Sequence, residues 1–236
     1  MKTDISKKQI IGITGEIGSG KSYISNIIKK ICDKKGILCH TLEFDHIGHE
    51  ILGTLEAAYY KEIRKKLIET FGNSIRKDND FIDRRELSKI VFKDKKALET
   101  LNKIMREPLI KRLNELIENL NGLILIIGAL IIDFDLPWLC DNNIILVETS
   151  KELQQERLLE RNLTKEEIEK RKDSQLSNKE KYNKMLKIIK KDGFGKIVNF
   201  KNNNASESEI EELLSEILKK EESRGREERE KKREKP

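Results

Sequence analysis

The sequence predicts an α/β fold in three layers, a parallel sheet flanked by helices, and three observations carry that prediction. Gln9–Thr14 (QIIGIT) is a short apolar, β-branched run of the kind buried on both faces of a parallel sheet. A glycine-rich turn follows it directly. Beyond the turn Ile24, Ile27, Ile28 and Ile31 recur at helical spacing, and residues 37–44 read as a second strand, so the opening is a βαβ unit.

From residue 45 to about 120 the chain turns helical and highly charged, and Asp83 to Glu86 (DRRE) has the form of a capping box ahead of Leu87, Ile90 and Val91. A helical insertion is expected there. Residues 123–132 read as a further buried strand and Asn143–Glu148 as another, with Thr149 and Ser150 as caps for a helix over 151–161. Thr164 and Glu167 form a second capping-box pattern. It opens a very polar helix expected to run to about residue 191 and, having little apolar surface, to dock weakly and move. Residues 196–200 read as the last strand, and Glu207–Leu218 as a closing helix with Ile210, Leu213, Leu214 and Ile217 on one face. Residues 219–236 have no apolar period, the pattern of a disordered charged tail.

Composition narrows the class. A chain of 236 residues with 38% charged and 5% aromatic side chains suits a soluble protein packed mostly with Ile and Leu. Cys32, Cys39 and Cys140 are odd in number and form no C-x-x-C pair, so neither a disulfide framework nor a zinc ribbon is expected and a reducing, cytoplasmic setting fits. The polar N-terminus lacks a signal-peptide core, and the apolar run at 123–132 is about half of what a membrane span needs. No membrane association is expected. Of the net charge of +6, the tail contributes nine basic against six acidic residues. The remaining excess is too mild for a nucleic-acid partner, yet it suits a protein that holds polyphosphates.

The chemistry is concentrated at the first turn. Gly15, Glu16, Ile17, Gly18, Ser19, Gly20, Lys21 and Ser22 match G-x-x-x-x-G-K-[ST] in full, between a predicted strand and a predicted helix. Glycines alone could merely connect the two elements, but a connector does not require a lysine and a serine at these positions. In this context the glycines let the backbone wrap a phosphate with inward N–H groups, and the helix start adds the positive end of its dipole. Lys21 is expected to reach the β- and γ-phosphates of ATP and Ser22 to place its hydroxyl on Mg²⁺, with Tyr23 counted among the ATP-binding residues. The fold expected is therefore that of a P-loop kinase.

A kinase also needs a group that orients its acceptor. Asp45 follows the second strand at the edge where ligands gather in open α/β sheets, and a carboxylate there can take the acceptor hydroxyl proton. The alternative is that Asp45 caps the next helix. His46 and His49 hint at a metal but lack a further ligand, which favours a polar helix face. Asp45 to Gly48 also spells D-x-x-G, a GTPase element. That reading requires an N-K-x-D motif, and the sequence contains none.

With Lys21 and Asp45 placed, the chain resembles the dephospho-coenzyme A kinases over residues 9–204. IGITGEIGSGKS is similar to the family's start, with Tyr23 where a Thr is usual. Asp45 falls on the second acid of the family's D-x-D element, and Glu43 replaces the first. The resemblance implies that Arg85, in a D-R-x-x-L…V-F segment, and Asp133, at the strand end Ala129 to Asp133, belong to the acceptor side. Gln154 to Asn162 (QQERLLERN) is similar to the lid segment Q-x-x-R-x-x-x-R-D. This places Arg161 on the lid arginine, which would clamp the transferring phosphate, and Gln175 on a later lid glutamine. Glu107 before Pro108, Ala129, His49 and Asn162 depart from the pattern. They leave the ATP half intact and bear on the acceptor half.

The organisation implied is a nucleotide-binding core (1–44, 121–150 and 192–218), a helical acceptor-binding subdomain (45–120), a mobile helical lid (151–191) and the tail. The expected activity is ATP-dependent, Mg²⁺-assisted phosphorylation of the 3′-hydroxyl of dephospho-CoA by a monomer or weak homo-oligomer. A nucleoside monophosphate kinase or other small-molecule kinase, a non-catalytic nucleotide-binding or GTP-switch relative, and a tail that binds acidic partners are the alternatives.

Overall fold

The structure is a computed structural model that describes residues 8–160 and 165–218. The five expected strands form one sheet. They are β1 (Gln9–Thr14), β2 (Cys39–Glu43), β3 (Leu123–Ile127), β4 (Asn143–Glu148) and β5 (Lys196–Lys201), in the order β2-β3-β1-β4-β5. β1 lies parallel to β3 on one side and to β4 on the other, and β4 runs parallel to β5. Gln9 sits opposite Leu123, and Gly12 opposite both Ile126 and Ile144.

Side chains alternate across such a sheet, and here both faces are covered. Ile11, Ile13, Leu125, Ile127, Ile145 and Val147 share one core with Ile24, Ile28 and Ile31 of α1 (Lys21–Lys34) and with Ile210, Leu213, Leu214 and Ile217 of α9 (Glu207–Leu218). The intervening residues Ile10, Ile124, Ile126, Ile144 and Leu146 are equally buried. This double burial is why the three central strands, β1, β3 and β4, read as near-continuous apolar runs. At Gly12 a Cβ would lie 2.5 Å from Ile144 Cδ1 and 2.9 Å from Cys140 Sγ, so the central strand has no room for a side chain there. Exposed ion pairs, Lys34 with Glu207 and Lys35 with Glu211, join α1 to α9 and add little, on the order of 0–1 kcal/mol each.

Among the described residues the chain divides into two compact units. One is drawn from the stretches up to Thr41 and from Leu120 onward, and the other is Leu42–Asn119. The second is helical: α2 (Phe44–Gly53), α3 (Ala58–Phe71), α4 (Arg84–Val91) and α5 (Lys95–Glu118). α5 packs against the other three and buries Met105, Leu109, Leu113 and Ile117. Asp83 caps α4 by accepting from the Arg85 and Glu86 N–H groups at 2.9 and 3.2 Å. The Glu86 carboxylate pairs with Lys89.

Four expectations are corrected. β2 spans 39–43 where 37–44 was expected. β3 ends at Ile127 where the apolar run predicts a strand to 132. Gly128 opens a turn, and Ile131 and Ile132 are buried in that turn, so their apolar character reflects burial without strand geometry. The polar helix expected over 164–191 is two helices, α7 (Lys165–Asp173) and α8 (Asn178–Asp192), separated at 174–177. Ser177 restarts the helix through a capping box with Glu180. α8 is also firmly docked: Lys181 and Met185 are fully buried, and the helix packs on β4 and β5. α6 (Lys151–Leu159) starts at its expected cap, Ser150, whose hydroxyl accepts from Leu153 N–H at 3.3 Å. Thr164, Arg161, Asn162 and the tail at 219–236 lie outside the described residues. Among the described residues no helix is long and apolar enough to cross a membrane.

Candidate phosphate-binding site

β1 ends at Thr14 and α1 begins at Lys21, and the residues between them turn back on themselves. Gly15, Gly18 and Gly20 have φ of 145, 79 and 91°, a region that favours glycine. Space enforces the same choice at both ends of the loop. A Cβ on Gly15 would lie 2.2 Å from the Val147 carbonyl oxygen, and one on Gly20 would lie 2.1 Å from Asn202 Nδ2. The Lys21 ammonium folds over the loop and donates to the Gly15 and Glu16 carbonyls at 3.0 and 2.9 Å. α1 has no side-chain cap at Gly20 and no acidic residue in its first turn. Its unsatisfied amides and positive dipole end are thereby left for an anion.

The loop is braced from distant parts of the same unit. The Ser19 carbonyl accepts from Asn202 Nδ2 at 3.1 Å and from an Arg157 guanidinium nitrogen at 3.3 Å. Arg157 also donates to the Asn202 carbonyl at 3.3 Å and to Asn204 Oδ1 at 3.2 Å. Gln154 Nε2 donates to the Ile17 carbonyl at 2.8 Å. The Tyr23 hydroxyl donates to the Ala205 carbonyl at 3.0 Å while its ring stays exposed next to the first turn of α1. Ser19 Oγ and Asn202 Oδ1 are buried beside the loop without a partner among the described residues. Ser22 lies exposed on the first turn.

The other sequence-predicted residues are placed as follows. Asp45 is the second residue of α2 and is exposed; the cap position belongs to Glu43, which makes no side-chain capping bond. A carboxylate in the first turn is stabilised by the helix dipole. His46 faces Glu50 one turn on, at 3.5 Å, and among the described residues no cluster of three or more side chains could hold a metal ion. His49 has its pKa lowered, first by burial and then by the nearby Arg84 charge. Arg85, one residue further along, is exposed.

Asp133 is engaged internally. One carboxylate oxygen accepts the Leu176 N–H at 2.7 Å and the other the Lys181 ammonium at 2.7 Å. Gln175 lies in the turn between α7 and α8, its Oε1 buried without a partner among the described residues. Lys21, Ser22 and Tyr23 are thus gathered with the glycine loop. Asp133 and Gln175 meet around the 174–177 turn.

Sequence reasoning missed Gln154, Arg157 and Asn202 as supports of the loop. Gln154 and Arg157 had a readable signal, because their i, i+3 spacing puts both on one face of α6. Asn202 had a weaker one in the polar Asn202-Asn203-Asn204 run that ends β5.

A five-stranded parallel sheet with a glycine loop between its central strand and a helix, closed by Lys21 and Ser22, defines a P-loop kinase fold. A family model described as dephospho-CoA kinase matches residues 9–196. A Fusobacterium nucleatum protein named dephospho-CoA kinase is 35% identical over 182 residues, covering 76% of this chain and 88% of that protein. Another of that name from Borrelia garinii is 32% identical, covering 89% and 94%. A solved Thermus thermophilus structure shares the fold at a TM-score of 0.63 with 22% identity, covering 90% of this chain and 97% of its own. The chain belongs to the dephospho-CoA kinase family.

Proposed function

We propose that this protein transfers the γ-phosphoryl group of ATP to the 3′-hydroxyl of dephospho-CoA, giving CoA. The observation that carries the reading is the phosphate loop: three left-handed glycines, an ammonium folded over them and an open helix start, in a chain of the dephospho-CoA kinase family.

In this reading Lys21 leaves the Gly15 and Glu16 carbonyls for the β- and γ-phosphate oxygens, offering the same donors to a stronger acceptor. The first-turn amides of α1 hold the anion. Ser22 would hold Mg²⁺; an exposed hydroxyl without a carboxylate cage fits an ion that keeps most of its ligands as water and phosphate. When bound, the ion neutralises charge on the phosphate oxygens. Asp45 accepts the proton of the attacking hydroxyl, and Arg161 supplies positive charge at transfer. Arg85, Asp133 and Gln175 serve the acceptor side, Asp133 by fixing the turn that carries Gln175. The partner is a small molecule, the working location the cytoplasm, and the protein acts as a monomer or weak homo-oligomer.

ADP release measured with Mg-ATP and purified protein tests this, with dephospho-CoA and a panel of nucleoside monophosphates as acceptors. Turnover that depends on dephospho-CoA is expected. Phosphorylation of a nucleotide without turnover of dephospho-CoA would replace the acceptor, and nucleotide binding without transfer to any acceptor would remove the activity.

A further inference from the structure

Glu16 fills a position of the phosphate-loop motif open to any residue, and a carboxylate there shares its loop with an incoming polyphosphate of the same sign. Its side chain is held by protein. Oε1 accepts the Asn178 N–H at 3.1 Å, Oε2 accepts from Gln154 Nε2 at 3.3 Å, and the Glu16 N–H donates to Asn178 Oδ1 at 3.2 Å. Asn178 opens α8, where the first amides have no acceptor inside the helix. Ser177 satisfies the Glu180 N–H, and Glu16 satisfies that of Asn178 from 162 residues away. The phosphate loop thus supplies part of the cap of α8.

The turn at 174–177 comes immediately before Asn178. Its Leu176 is held on the other side, N–H to Asp133 at 2.7 Å and carbonyl to the Lys181 ammonium at 2.9 Å. Gln175 directly precedes Leu176 in the same turn. Glu16 also reaches α6 through Gln154, whose amide bridges the Glu16 carboxylate and the Ile17 carbonyl.

We propose that Glu16 is a positioning residue for phosphoryl transfer: it locks the 174–177 turn, and Gln175 with it, to the phosphate loop, so that loop and turn keep one geometry. The kinetic part rests on the function proposed above; the structural part does not. A residue in this role acts on the transfer step more than on nucleotide affinity, because the phosphates are gripped by Lys21 and the α1 amides.

The test compares Glu16→Ala, Asn178→Ala, the double variant and the milder Glu16→Gln, all in the full chain. Three quantities are read: hydrogen exchange at the first turn of α8, affinity for a fluorescent ADP, and kcat with KM for both substrates. Glu16→Ala is expected to speed exchange in that turn and lower kcat, each by about 10-fold, with ADP affinity changed less than about 3-fold. Asn178→Ala, which keeps its backbone N–H, is expected to shift both in the same direction by less. The double variant is expected to lose more than either single one, because Glu16→Ala removes the carboxylate that accepts the Asn178 N–H while Asn178→Ala removes the amide oxygen that accepts the Glu16 N–H. Glu16→Gln keeps an acceptor for Asn178 and is expected to recover part of kcat. Unchanged exchange, a double variant no more affected than Asn178→Ala alone, or a fall in ADP affinity as large as the fall in kcat would each overturn the proposal. If the wild-type protein does not turn over dephospho-CoA, the functional reading fails, while exchange and the double-variant comparison still decide the role of Glu16.

Discussion

Lys181 Nζ sits 2.7 Å from Asp133 Oδ2, with its side chain fully buried and that of Asp133 only 10% exposed, so α8 is pinned to the turn after β3 by an ion pair sheltered from water. Each charge is tolerable there because the other is present. Lys181→Met should leave Asp133 buried and unpaired and lower unfolding stability by about 3–5 kcal/mol. Urea unfolding measures it. Replacing both residues with apolar ones should recover much of the loss, and a double variant no more stable than the single one would contradict this account.

At Gly20 two independent penalties meet, a φ of 91° and a Cβ position 2.1 Å from Asn202 Nδ2. Gly20→Ala should therefore cost about 2 kcal/mol or more of stability, together with most nucleotide affinity. Adding Asn202→Ala should relieve the worst clash but leave the dihedral strain and remove the brace on the Ser19 carbonyl, so thermal unfolding of the double variant should stay well below that of the wild-type protein.

Lys21 and Asp45 should separate kinetically. Lys21→Ala removes the ammonium proposed to hold the phosphates and should raise the barrier, read as kcat/KM, by on the order of 3–4 kcal/mol. Asp45→Ala should reduce kcat comparably while fluorescent ADP binds as before. Near-normal kcat in that variant would reduce Asp45 to a favourable charge at the start of α2.

His49 should titrate below the usual histidine value of about 6.5, because burial and the Arg84 charge both oppose its protonated form. Arg84→Ala should move the midpoint upward, which proton NMR of the ring resonances would register. The sign for stability follows. The unfolded chain binds the proton more tightly, so stability falls as pH drops from about 6.5 toward the lower folded value and then levels off. His49→Gln should flatten that slope.

The parts of the molecule legible in advance were those dictated by local chemistry. Gln9–Thr14, the glycine loop and the isoleucine stripe of α1 each carry their own period and spacing, and each forms where expected. Residues 128–132 misled because burial, which makes a run apolar, also occurs in turns. The break at 174–177 stayed hidden because Ser177 and Glu180 lie in a charged stretch where a polar cap does not stand out. Asp133 shows the deeper limit. Its partner, Lys181, lies 48 residues on, and nothing in either neighbourhood announces the pairing. Arg157 and Asn202 likewise become neighbours of Ser19 only after the sheet is assembled.

The Ser19 carbonyl takes its support from Asn202, 183 residues downstream. A nascent chain emerging from the ribosome therefore exposes its glycine motif long before the strand that steadies it has been synthesised. The loop gains that brace only once β5 docks at the edge of the sheet, and a product truncated ahead of that strand would carry an intact motif without its support.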